Sequence, residues 1–345
     1  TVEVELATKD GVFLASVPSG ASTGKYEAAE LRDGGKRYFG RGVLKAVENI
    51  NKIIGVKLKG KDVAKQVKID ELMIALDGTE NKIRFGANAI LAVSMASCRA
   101  GAAAYGSPLY QYITQLAENK SSLMPSPCFN VLNGGAHAGN DLDIQEFMIV
   151  PIRNVDDSKT GGPQSKQFSD NLRAAAEIYR NLKEILQKGY GKPAINVGDE
   201  GGFAPPLKNS KEALDVIMQA VEASGYKNSI KIILDVAASQ FFTIGGYNLK
   251  TGNLTKEELS NYYLDLVGKY PLLGLEDPFA EDDWEGWQMI NSKSEIRNPN
   301  FLIIGDDLLA TNPERIKEAK EKEACNAMIL KPNKIIGKSL RKGLK

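Results

Sequence analysis

From about residue 125 onward, short apolar runs alternate with helix-length amphipathic stretches, and this alternation limits the fold more than any other feature. The runs are Cys128–Leu132, Phe147–Val150, Ala194–Val197, Ile230–Leu234, Leu272–Leu275, Phe301–Ile304 and Ala327–Leu330. Helical patterns lie between them at Lys211–Ser224, Thr255–Tyr270 and Asn312–Ala324, the last with Asn312 as N-cap and Pro313 at the first helical position. Strands that arrive this way are expected to run parallel, joined by crossover helices. Seven of them suggest a (β/α) barrel of about eight strands, one unit short; an open doubly wound sheet is the alternative.

Ahead of residue 125 the grammar differs. Residues 1–30 read as a strand pair entering the polar loop Ser19–Gly24, and Gly86–Ala104 is Ala-rich enough to form a closely packed helix. Met124-Pro-Ser-Pro-Cys128 then punctuates the chain. The expected fold is α/β, with an N-terminal α+β domain over 1–125 and a barrel domain over 126–345, incomplete at its C-terminal end.

At 345 residues the chain exceeds what one core usually organises, and 43% apolar with 25% charged side chains argues against disorder. No run of 18 apolar residues offers a membrane span. A net charge of +1 gives no support to nucleic-acid binding, although the last 15 residues carry six basic and no acidic side chains. Three scattered cysteines fit a reduced intracellular compartment. With His137 the single histidine, a His-rich site cannot be built, so any metal must be a hard cation held by oxygen. The start lacks a signal pattern and an initiator Met, and reads as the interior of a longer chain.

Four apolar runs end abruptly in charge: Asp235, Glu276, Asp306 and Lys331. In a barrel, C-terminal strand ends converge on one mouth, so three acids on consecutive strands would crowd and raise each other's pKa. Mg²⁺ removes that conflict. Each acid could instead cap the helix that follows, but three in one register favour the metal. A lysine ending a strand beside a cation is accessible as a neutral amine, and hence as a base. Asn196–Phe203 places Glu200 at another strand end between glycines, and Glu146 opens the run after Gln145; a pair of carboxylates suits acid–base work. Ser19–Lys25 resembles a phosphate loop but lacks its first glycine, and Gly134–Gly139 lacks dinucleotide-site spacing. Both read as glycine-rich loops over a site, and His137 remains either structural or a substrate contact.

Together these residues resemble the enolase family. The resemblance runs through Val17–Gly24, Leu76–Lys82, Phe85–Ala89, Asn133–Gly139, Gln145–Met148, Asn196–Gly202, Leu234–Ser239, Leu275–Phe279, Gly305–Leu308 with Thr311–Pro313, and Leu330-Lys331. It implies reversible dehydration of 2-phosphoglycerate to phosphoenolpyruvate in glycolysis, by a cytoplasmic homodimer with two Mg²⁺ and with neither nucleic acid nor membrane as partner. By motif, Asp235, Glu276 and Asp306 would bind the first Mg²⁺ and Ser22 the second. Lys331 matches the general base, Glu200 the general acid, and Glu146 its partner. His137 matches the histidine of a closing loop, and His137, Glu146, Glu276 and Asp306 are expected to line the substrate. A Lys or His base with divalent cations is the established pattern of that superfamily.

The sequence departs from the family at several points. A Ser-His-Arg-Ser segment and a further lysine that bind substrate in enolases have no match, nor does the last barrel unit, and Gln240 replaces an acid usual just after the Asp235 motif. The favoured expectation is part of a longer working enolase, with little turnover from these 345 residues alone. The alternative is a noncatalytic enolase-like binding or scaffold protein. A different acid–base enzyme of the superfamily fits less well, because the Ser22 and His137 loops match enolase specifically.

Overall fold

A computed structural model of the chain describes residues 1–20, 25–119, 123–135, 138–152, 164–198 and 200–331. Two compact units emerge: Thr1–Ser122 with Ala310–Glu314 and Leu330–Lys345, and Leu123–Leu309 with Arg315–Ile329.

In the first unit, alternating residues build β1 (Val2–Thr8) and β2 (Gly11–Val17), paired antiparallel from Val2 opposite Val17 to Thr8 opposite Gly11. The period of two puts Val2, Val4, Ala15 and Val17 on one buried face. That face shares a core with Ala89, Ile90, Val93 and Ala96 of the helix Ala87–Ala104, whose small side chains permit close approach.

The second unit is organised on β3 (Phe129–Asn133), β4 (Glu146–Pro151), β5 (Ile230–Asp235), a small meander of β6 (Phe242–Thr243), β7 (Gly246–Leu249) and β8 (Gly252–Leu254), then β9 (Leu272–Glu276), β10 (Leu302–Gly305) and β11 (Ala327–Met328). Apart from the meander they form one sheet, ordered β11-β10-β9-β5-β4-β3. Spatial order therefore follows chain order without reversing, the barrel's arrangement and not the doubly wound one. The sheet is not closed among the described residues.

Two expectations need correction. Strand β4 runs antiparallel to both β3 and β5, while β5, β9, β10 and β11 are mutually parallel. Residues Ala194–Val197 do not form a strand: Lys192–Ile195 is a 3₁₀ turn started by Pro193, and Val197 makes one bridge, to Phe203. Pro193 supplies the helical φ, which outweighs the apolar run behind it.

Both sheet faces are apolar. On one, Phe147, Ile149, Ile232, Leu234 and Leu275 join the main core with residues of Gln164–Tyr190, Ser210–Ala223, Lys256–Lys269 and Trp284–Arg297. On the other, Met148, Val150, Ile233, Leu302, Ile304, Ala327 and Ile329 pack together. The helices enter with side-chain caps: Asn209 accepts from the Glu212 N–H, and Thr255 forms a capping box with Glu258.

Strands β9 and β10 approach closely at Gly274, where an added Cβ would lie 2.7 Å from the Leu302 carbonyl oxygen and 2.8 Å from its Cβ. Gly274→Ala should therefore destabilise the protein by about 1–3 kcal/mol, read as a lower urea midpoint with unchanged slope.

Candidate active site

Register places the acids. Glu146 opens β4 and pairs with Asp235, the last residue of β5. Asp235 in turn pairs with Glu276, the last residue of β9, and Glu276 with Ile304 of β10. Asp306 follows two residues later. An acid at the start of β4 thus stands at the same sheet end as acids finishing β5 and β9, because β4 runs the other way.

The centre of the row is buried and under electrostatic tension, with Glu146 and Asp306 half-buried at its ends. Asp235 and Glu276 are 6% and 7% exposed. Burial pushes Asp235 up to about 7, aided by the negative charges of Asp306 and Asp307 and opposed by two donors. Those donors are the Gln145 side-chain amide at 2.9 Å and the Ala237 N–H at 3.1 Å. Gln240, standing where the family usually has an acid, donates through its side-chain amide to the Gln145 side-chain oxygen and so supports Asp235 one step back. Burial raises Glu276 well above the ordinary range, with Asp235, Asp277, Asp306 and Glu146 adding repulsion.

Sequence reasoning took the first acid of each doublet and missed the second. Asp277 is buried with φ 42°, and its two carboxylate oxygens accept the Asp306 N–H at 3.0 Å and the Asp307 N–H at 2.7 Å. Oxygens of Asp277, Asp306 and Asp307 all lie within 4.8 Å of one another. The signal available in the sequence was the doublets themselves, Glu276-Asp277 and Asp306-Asp307.

Glu200 is exposed and sits on a glycine turn rather than at a strand end. The Gly198 N–H donates to the Gly202 carbonyl at 2.8 Å, and Gly201 has φ +84°. Phe203 fastens this turn to β3: its N–H donates to the Val131 carbonyl and its carbonyl accepts from the Asn133 N–H. Asn130, on the same strand, donates to a Glu200 oxygen at 3.5 Å. Since Asn133 pairs with Glu146, the turn is tied to the strand neighbouring the acid row. Lys331 is half-buried, and its N–H donates to the Thr311 hydroxyl at 3.2 Å. Ser22 and His137 lie outside the described residues.

The family model described as "Enolase, N-terminal domain" matches residues 1–113, and "Enolase, C-terminal TIM barrel domain" matches 121–342. The chain is 51% identical to "Enolase" of Mastigamoeba balamuthi and 50% identical to "Enolase 1" of Entamoeba histolytica. Each comparison covers 97% of this chain and 76% of the relative. The chain belongs to the enolase family.

As an enolase it is a phosphopyruvate hydratase, a carbon–oxygen lyase acting on a small molecule, and the family implies a metal cofactor. The donor set fits one. Among the described residues the potential ligand cluster is made of carboxylate oxygens, which suits a hard dication, and buried acids that raise each other's proton affinity are relieved by positive charge among them.

The sign of the linkage yields a prediction. A carboxyl whose folded pKa is raised contributes stability at low pH and loses it as pH rises towards that value. Relative to Asp235→Asn, metal-free wild type should lose melting temperature between about pH 4 and pH 7. Mg²⁺ should restore it in wild type and much less in the variant, measured by scanning calorimetry.

Proposed function

We propose that the chain dehydrates 2-phosphoglycerate reversibly to phosphoenolpyruvate, with two Mg²⁺, as a glycolytic homodimer in the cytoplasm. What carries the reading is the in-register row Glu146–Asp235–Glu276 with Asp306 just beyond it, in a chain of this family. Homodimer, compartment and pathway follow from the family resemblance. Among the described residues no helix is long and apolar enough to cross a membrane.

The chemistry explains why such a reaction calls for acids and an amine. The proton alpha to the substrate carboxylate is a very weak acid, since removing it leaves a dianionic enolate. Enzymes typically remove about 8–23 kcal/mol from such barriers, whereas a positioned base contributes only ~10²–10⁴-fold. Asp235, Glu276 and Asp306 would hold one Mg²⁺ and Ser22 would help hold the second. Bound there, the cations would supply electrostatic stabilisation of the charge developing on the substrate carboxylate.

The protein's own groups move the protons. Lys331, as the free amine, takes the C2 proton, and the electron pair left on carbon becomes the C2–C3 double bond as the C3–oxygen bond breaks. Glu200, as the carboxylic acid, protonates the departing hydroxide so that it leaves as water. Glu146 would act as the partner of Glu200, as the family motif implies. His137 would close over the substrate from its loop.

The two proton transfers should separate. Lys331→Ala should abolish exchange of the substrate's alpha proton with deuterated solvent, with a rate loss of ~100-fold or more. Glu200→Gln should keep that exchange measurable while formation of phosphoenolpyruvate stops. Exchange in both variants, or in neither, would sink the assignment of roles.

A further inference from the structure

Asp235, Glu276 and Asp306 lie on or beside strands, whereas Glu200 rides on a turn of three glycines, Gly198, Gly201 and Gly202. Such a turn has many accessible backbone conformations, so something must fix the direction in which the Glu200 carboxyl is presented. The helix Gln164–Tyr190 supplies that contact through Tyr179. The tyrosine hydroxyl donates to the Gly201 carbonyl at 2.7 Å, on the residue next to Glu200. Its ring stacks on Phe203, with centroids 4.2 Å apart and planes 18° from parallel.

Phe203 is buried and bonded through its backbone to both Val131 and Asn133 of β3. One side chain therefore grips the turn at two places, by hydroxyl at Gly201 and by ring at Phe203. Between those grips Gly202 has no room for a side chain: a Cβ there would lie 2.6 Å from the Asn133 side-chain oxygen and 2.8 Å from the Leu132 nitrogen. The turn is pressed onto β3 from one side and held by Tyr179 on its carbonyl.

We infer that Tyr179 is a positioning residue for the proton donor Glu200, holding the Gly198–Gly202 turn through the Gly201 carbonyl so that the carboxyl faces the leaving hydroxyl. This rests on the proposed role of Glu200 as general acid. Tyr179 itself touches no substrate. Burial raises the phenol's pKa, so it stays a hydrogen-bond donor across the neutral range.

The role has a kinetic signature that a purely structural one lacks. Tyr179→Phe keeps the ring, the stack and nearly all the volume, and removes only the donor to Gly201. It should lower kcat for dehydration about 3- to 10-fold, the worth of one neutral hydrogen bond used for alignment. KM should stay within about twofold, since ground-state binding does not use the acid. Alpha-proton exchange, which depends on Lys331, should be unchanged, and so should the melting temperature to within a few degrees. Phe203→Leu, which loses the stack but keeps an apolar side chain, should lower the dehydration-to-exchange ratio in the same direction.

The test measures deuterium exchange and phosphoenolpyruvate formation side by side in the full-length native protein with Mg²⁺, for wild type, Tyr179→Phe, Phe203→Leu and Glu200→Gln. A lowered ratio in both the Tyr179 and Phe203 variants supports the inference. An unchanged ratio in Tyr179→Phe overturns it, whether the two rates both hold or both fall together. Should Glu200→Gln itself continue to dehydrate, the acid assignment fails and the inference with it. Should Glu200→Gln separate the two rates while Tyr179→Phe does not, the inference alone fails.

Discussion

The site depends first on backbone pairing between β4, β5 and β9. Ladder hydrogen bonds fix the register, and the register sets Glu146, Asp235 and Glu276 side by side. Carboxylates so placed do not gather by attraction; they are held against mutual repulsion and against the loss of hydration on burial. The apolar packing of both sheet faces, Phe147 and Leu234 on one and Val150 and Ile233 on the other, supplies the opposing free energy. A slip of one residue along β5 would turn Asp235 to the opposite face and bring an apolar side chain to the mouth.

Around that row, neighbouring groups fix direction. Gln145 and the Ala237 N–H aim Asp235, and Asp277 fastens the start of the Asp306-Asp307 turn by accepting both of its N–H groups. Asp277 does so from a left-handed backbone conformation, which costs roughly 1–3 kcal/mol for a residue with a side chain. Two backbone N–H bonds to its side-chain oxygens can offset that cost. Its acceptor capacity is thereby largely directed at the backbone, so its closeness to Asp306 and Asp307 does not by itself make it a ligand.

Much of this was legible in the sequence because a strand end is a local signal. Ile-Ile-Leu before Asp235 and Leu-Leu-Gly-Leu before Glu276 announce both the strand and its termination by a polar group. The direction of β4 was not legible, because Phe147–Val150 has the same composition whichever way it runs; direction is settled by partners distant in sequence. The Ala194–Val197 run misled because periodicity cannot decide over four residues, and Pro193 tipped the balance towards a 3₁₀ turn. Asp277 went unassigned since its work is done on backbone N–H groups, those of Asp306 and Asp307, which no side-chain pattern reveals. Motif resemblance supplied roles for Ser22 and His137, both outside the described residues.

The division between strand and turn has a chemical logic. A cation is best held by oxygens that do not move, because repulsion among unligated acids would otherwise spread them apart; strand ends provide that rigidity. A proton donor must instead meet a leaving group whose position changes as a carbon–oxygen bond stretches. As the proposed donor, Glu200 would gain that adaptability from its glycine turn, at the cost of orientation, which a single phenol–carbonyl bond and one aromatic stack can return. On this view the weakest contacts near the site are where the rate is set. Substitutions beneath the acid row would chiefly alter stability and cation affinity, while loss of the Tyr179 hydroxyl would alter the proton transfer proposed for Glu200.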